Sequence, residues 1–226
     1  MLDVGGESTR PGAEPVSVSE ELERVIPVIE GIRQAVPDAV ISVDTSKAEV
    51  MQVAVEAGAR FINDVNALQS PGALQAAVEA DVPVCLMHKQ GDPATMQRNP
   101  RYKDVLHEVL SFLQDRADNC LAAGICPEHI YLDPGIGFGK NVQHNLVLLK
   151  NLNSIRALGY PVLLGVSRKS FIGEIVQQPE ADKRLYGSIA AAMWGWLHGA
   201  DIVRVHDVAE TRQALQVLTA IAQASG

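Results

Sequence analysis

Seven clusters of polar side chains recur along the 226 residues, each standing where a short β-branched run ends. In order they are Glu7-Ser8-Thr9-Arg10-Pro11-Gly12, Asp44-Thr45-Ser46, Asn63-Asp64, Met87-His88, Asp133-Pro134-Gly135, Ser167-Arg168-Lys169-Ser170 and Arg204-Val205-His206-Asp207. Taken singly, an Asp or Ser behind a strand is as often the N-cap of the next helix as a functional group. Recurrence at every strand end is what points to one shared site. The types then sort into two chemistries. Asp44 and Asp133 accept hydrogen bonds, Asn63 accepts and donates, and Lys169 donates; such a set can read a flat heterocycle offering N–H groups beside a carbonyl. Arg10, Arg204 and His206 are a cationic set, and a guanidinium fork matches phosphate oxygens two at a time. Together they indicate an enzyme whose substrate is a nitrogen heterocycle carrying a phosphate-like group.

Other motifs carry less. Gly135-Ile136-Gly137-Phe138-Gly139-Lys140 has the look of a phosphate loop, but Pro134 stands where a Walker A sequence needs Gly and Asn141 where it needs Ser or Thr. The same glycines miss the dinucleotide fingerprint, because Lys140 or Val142 occupies the last glycine position. Six histidines show neither H-E-x-x-H nor a triad spacing, and His206 alone stands in a functional position. Cys85, Cys120 and Cys126 form no C-x-x-C pair and read as structural thiols.

Elements that place polar residues in this way must alternate. Strands are predicted over Met1–Gly5, Ala39–Asp44, Arg60–Asp64, Pro83–His88, His129–Asp133, Pro161–Ser167 and Ala200–His206, apolar through the middle as parallel strands buried on both faces are. Helices are predicted over Ser17–Val36, Lys47–Ala57, Pro71–Glu79, Tyr102–Ala123, His144–Ala157, Lys183–His198 and Asp207–Ala222. Leu22, Val25, Ile26 and Ile29 fall on one helical stripe behind Ser19, while Gly58, Gly124 and Gly159 supply positive-φ stops. No linker divides the chain, so residues 1–226 read as one domain. Its expected fold is an α/β TIM (β/α)8 barrel, whose chemistry gathers at the C-terminal strand ends. Only seven strands are counted, and the chain opens inside a strand, so the expectation is a barrel lacking its first βα unit.

Composition narrows the function. Hydrophobic residues make up 47% and charged ones 20%, a balance suited to a buried core. The formal net charge of -8, with no Lys/Arg block, argues against a nucleic-acid partner. No apolar run reaches the roughly 18 to 20 residues of a membrane span, and no leader pattern opens the chain, which reads as a cytoplasmic protein without membrane contact.

The runs Asp3-Val4-Gly5-Gly6-Glu7-Ser8-Thr9-Arg10-Pro11-Gly12, Ser42-Val43-Asp44-Thr45, Ile62-Asn63-Asp64, Leu132-Asp133-Pro134-Gly135-Ile136-Gly137-Phe138-Gly139-Lys140, Ser167-Arg168-Lys169-Ser170 and Arg204-Val205-His206-Asp207 resemble the bacterial dihydropteroate synthases, in order and over essentially the whole chain. The resemblance implies a folate-pathway transferase, the sulfonamide target, that joins p-aminobenzoate to 6-hydroxymethyl-7,8-dihydropterin diphosphate. It implies that Asp44, Asn63, Met87, Asp133 and Lys169 hold the pterin, and that Arg10, Arg204 and His206 bind the diphosphate. Thr9, Pro11, Gly137, Phe138, Lys169 and Ser170 would frame the aminobenzoate, with Asp44, Asp133, Lys169, Arg204 and His206 as the catalytic set. Mg²⁺ and a homodimer are implied as well. The family's opening strand and its Asn-containing loop, which the family uses near Mg²⁺, have no counterpart here, so no metal ligand is assigned in this chain. Two other readings stay open at this point: a homologue that binds pterin without turnover, and a Schiff-base barrel using Lys169, which fits the lysine but not the two carboxylates.

Overall fold

A computed structural model describes residues 1–9, 12–91 and 95–224. All seven predicted strands form, shorter than predicted by one to two residues at most ends: β1 (Leu2–Gly5), β2 (Ile41–Asp44), β3 (Phe61–Asp64), β4 (Val84–Met87), β5 (Ile130–Asp133), β6 (Leu163–Gly165) and β7 (Ile202–Arg204). They are all parallel and lie in sequence order. A continuous ladder joins β1 to β5, a second joins β6 to β7, and the Leu132–Val162 bridge links the two. No ladder joins β7 to β1 among the described residues.

Helices return the chain between strands: α1 (Val18–Ala35), α2 (Ala48–Ala57), α3 (Ala73–Ala80), α4 (Val105–Ala123), α5 (Val142–Lys150), α6 (Leu152–Arg156), α7 (Ser170–Val176), α8 (Leu185–Leu197) and α9 (Val208–Ala222). Three differ from expectation. The cap of α1 is Ser17, whose hydroxyl accepts from the Glu20 amide, so Ser19 lies inside the helix. The predicted 144–157 helix breaks at Asn151, which ends α5 and opens α6. Short α7 carries no long amphipathic period and escaped the reading.

Alternation along each strand divides two layers. Outward residues such as Val43, Ile62, Leu86, Leu132 and Leu164 pack under the helices, where Val25, Ile29, Leu113 and Leu148 are fully buried. Inward, Phe61, Cys85 and Leu163 close the barrel floor with Tyr131 and Ile202, and the Phe61 and Tyr131 rings meet edge-on at 5.1 Å. That floor blocks the interior as a packed core does, leaving the C-terminal ends of the strands as the place for polar side chains.

Candidate active site

One register position above the floor, inward-facing residues turn polar. Asp44 and Asn63 are partners across β2 and β3, and Met87 and Asp133 across β4 and β5. Arg204 ends β7 and reaches over to this wall: its Nη2 lies 3.0 Å from Asp44 Oδ2 and its Nε 2.5 Å from Asp3 Oδ2. Asn63 Nδ2 donates to the same Asp3 oxygen at 3.1 Å. Asp133 is 6% exposed, and one of its oxygens accepts from the Gly135 amide at 2.7 Å. Lys169 donates to the Ile136 carbonyl and sits 4.7 Å over the Phe138 ring. The site therefore brings together Asp44, Asn63, Met87, Asp133, Lys169, Gly137, Phe138 and Arg204.

Crowding of carboxylates in a dry wall shows in their proton affinity. Burial, then the Asp3 charge, pushes Asp44 up to about 7 against the pull of Arg204. Asp133 is likewise raised by burial, with Lys169 opposing. Lys169 is pushed down to about 8 by burial, with Asp133 holding it up. Titration of acids and bases toward neutrality in one cleft is what ligand-binding walls do.

His206 stands at the next turn. Its amide donates to Ser167 Oγ at 3.2 Å, and that hydroxyl is 2.9 Å from its Nδ1. In the tautomer in which the hydroxyl donates to Nδ1, the ring proton sits on Nε2, and in the other Nδ1–H donates to the hydroxyl. Arg168, held at φ +60° in the left-handed region, forks onto Asp207 at 2.5 and 3.1 Å. Ser188 accepts from its amide, and Arg184 donates to its carbonyl. Neighbouring pairs Ser167–His206 and Arg168–Asp207 thus lock the β6 and β7 loops together, and the left-handed turn precedes Lys169 directly.

Ser170 opens α7 and lines an open hollow of about 510 Å³ with Glu174 and Arg184. Thr9 is half-buried, whereas Arg10 and Pro11 lie outside the described residues. Among the described residues on either side of them, Glu7 accepts from the Val16 amide at 2.8 Å and from Lys47 at 2.6 Å, and Lys47 also pairs with the fully buried Glu21 at 2.5 Å.

Sequence reasoning passed over two residues. Asp3 lies in a quoted run, yet its inward parity with Asp44 was the signal that it shares the site. Lys140, dismissed with the false phosphate loop, is the loop's internal tie. Its buried amino group, pushed down to about 7 by burial, has the carbonyls of Gly135, Phe138 and His88 at 2.9, 3.0 and 3.3 Å and His88 Nδ1 at 2.9 Å as the acceptors that its protons share. Burial and the adjacent Lys140 push His88 down to about 3, so the ring is neutral and can accept. Gly135, at φ +66°, has no room for a Cβ, which would stand 1.8 Å from the His88 carbonyl oxygen. Arg204, assigned to the cationic set, also pairs with the carboxylate wall, because an arginine between two carboxylates takes them as partners.

Known proteins resemble this chain in sequence and in fold. A family model described as pterin binding enzyme matches residues 1–206. The dihydropteroate synthase of Haemophilus influenzae is 53% identical over 224 residues, covering 99% of this chain and 81% of that protein. That of Escherichia coli strain K12 is 51% identical over 220 residues, covering 97% and 77%. Among solved structures, Yersinia pestis dihydropteroate synthase with a sulfonamide drug complex superposes with a TM-score of 0.95 at 47% identity, over 98% of this chain and 80% of that one. The Xanthomonas albilineans enzyme with 4-aminobenzoic acid gives 0.94 at 48%, over 99% and 80%.

Proposed function

The chain belongs to the pterin-binding enzymes, in the dihydropteroate synthase family, and from that premise we propose that its site condenses p-aminobenzoate with 6-hydroxymethyl-7,8-dihydropterin diphosphate to give 7,8-dihydropteroate and diphosphate. The observation that carries this reading is the convergence of Asp44, Asn63, Asp133 and Lys169 with Arg204 on one inward wall. Asp44 and Asp133 accept the pterin N–H groups, Asn63 and Lys169 complete the edge, and Met87 packs against the ring. As the methylene C–O bond breaks, its electron pair leaves with diphosphate and positive charge spreads into the ring. Carboxylates at that wall stabilise the cation, while Arg204, His206 and Arg10 stabilise the departing anion. The arylamine nitrogen then forms the C–N bond and sheds a proton; it is nucleophilic as it stands and needs no general base. Thr9, Pro11, Gly137, Phe138, Lys169 and Ser170 frame the aminobenzoate, the place a sulfonamide would compete for.

Mg²⁺ accompanies the resemblance. No three His, Cys, Asp or Glu side chains converge as a cage among the described residues, and Arg204 and His206, which face the anion, are donors and not oxygen ligands. The described residues supply no three-ligand group for the ion, and the steps above are assigned to the protein's own groups. The protein is further read as a cytoplasmic homodimer. Exposed Tyr186, Trp194, Leu197, Val208, Val217 and Ile221 on and beside α8 and α9 support the pairing, which light scattering measures.

Arg204→Ala tests the assignment. Affinity for the diphosphate-bearing substrate falls about tenfold more than affinity for 6-hydroxymethylpterin, since only the former presents an anion. Equal losses for both ligands overturn it.

A further inference from the structure

Asp3 is the one inward carboxylate of the wall that the reaction above leaves without a task. Its Oδ2 takes two donors at once, Arg204 Nε from β7 at 2.5 Å and Asn63 Nδ2 from β3 at 3.1 Å. Its Oδ1 is buried without a hydrogen-bond partner among the described residues, as is the hydroxyl of Ser42, its register partner on β2. Such a group is expensive to keep unless it does something for its neighbours.

Both contacts constrain a ligand-reading residue. A carboxylate only accepts, so Asn63 must turn its amide nitrogen toward Asp3; the opposite flip would set two acceptors face to face. Asp3 thereby decides which edge of the amide is offered to the heterocycle. Arg204 is a long side chain with about 2 kcal/mol of rotamer entropy, and two carboxylates on adjacent strands hold its fork in one orientation. β7 and β1 share no ladder among the described residues, so this contact also spans the gap between them. We infer that Asp3 is a positioning residue for the transfer reaction, orienting Asn63 and Arg204 before substrate arrives. This inference rests on the proposed pterin wall.

The test is a double-mutant cycle read by calorimetric titration with 6-hydroxymethylpterin. Asp3→Asn keeps the volume and one accepting oxygen but removes the negative charge that pins the Arg204 fork, and its NH₂ replaces the second carboxylate oxygen; Arg204→Lys keeps the cation and removes the fork. Each single change is expected to weaken binding about tenfold, and the pair together about tenfold as well, because both remove one interaction. In steady-state assays, KM for p-aminobenzoate stays at the wild-type value while KM for the pterin diphosphate rises. Independent losses that multiply to about a hundredfold, or wild-type affinity in a folded Asp3→Asn protein, overturn the inference. Should Asp3→Asn not fold, Arg204→Lys alone decides, since unchanged affinity there shows that the fork is not needed. A wild-type chain that fails to bind 6-hydroxymethylpterin refutes the pterin wall itself, a result distinct from any of these.

Discussion

Asp133→Asn is the change whose effect the structure specifies most fully. The carboxylate is 6% exposed, and one oxygen is already committed to the Gly135 amide at 2.7 Å. An asparagine oxygen can keep that bond, so the loop after β5 retains its anchor and the fold is spared. What changes is the other position, where an acceptor becomes an NH₂ facing the N–H groups of the heterocycle. A mismatched buried pair costs about 1–3 kcal/mol, and the upper half applies because the lost acceptor is charged. That is a loss of about 30- to 150-fold in affinity for 6-hydroxymethylpterin by calorimetric titration at 25 °C. A second consequence follows from Lys169, which sits near 8 because burial pushes it down and Asp133 holds it up. Without the Asp133 charge, Lys169 titrates lower still, and the alkaline limb of kcat/KM moves to lower pH. Affinity within twofold of wild type, in a variant with unchanged melting temperature, would remove Asp133 from the ligand wall. A large fall in melting temperature would show that the carboxylate mainly supports the loop.

Two further outcomes follow. Asp44 titrates near 7, raised by burial and Asp3 against Arg204, with Asp64 and Glu21 adding to the rise; since the ionised form accepts from the pterin, affinity increases from pH 6 to pH 8. The same carboxyl binds more protons folded than unfolded between about 4 and 7, so its contribution to stability declines as pH rises through that window. Asp44→Asn flattens the binding profile, and a slope that survives it assigns the proton elsewhere. Lys140→Met leaves three carbonyls without their shared donor, which costs about 3 kcal/mol, or about 6–12 °C in a chain of this length. A melting temperature within about 2 °C of wild type would refute the role of Lys140 as the loop's tie.

How much of this was legible depended on the range of the forces involved. Strand positions followed from apolar runs, and the wall followed from polar residues recurring at their ends, because burial on both faces leaves a parallel strand no other place for Asp44, Asn63 or Asp133. The α7 helix was not legible, since it is a single short segment whose burial comes from tertiary contact at Phe171, Ile172 and Gly173. The split at Asn151 escaped for a related reason: the apolar period runs through it and only the backbone turns. Lys140 was set aside together with the rejected phosphate loop, whereas here the lysine serves the loop's own carbonyls. Asp3 could have been found. Strand parity alone puts residues 3, 42 and 44 on one face once β1 and β2 are paired in register.

Placing Arg204 between Asp3 and Asp44 also changes how the two chemistries relate. Read from types alone, heterocycle and diphosphate belong to separate walls. In the structure the cation stands against the carboxylates, offsetting the burial that raises Asp44 and Asp133, and is itself held charged by Asp3 and Asp44 against its own desolvation. A buried carboxylate wall with no cation would protonate and cease to accept. On the proposed function, a bound pterin adds N–H donors to those that Arg204 and Lys169 already offer the wall, and the remaining Arg204 N–H groups turn to the anion. Binding of the heterocycle and recruitment of the arginine to the leaving group are then one electrostatic exchange, made possible because β1, β2 and β7 bring their last residues to the same end of the barrel.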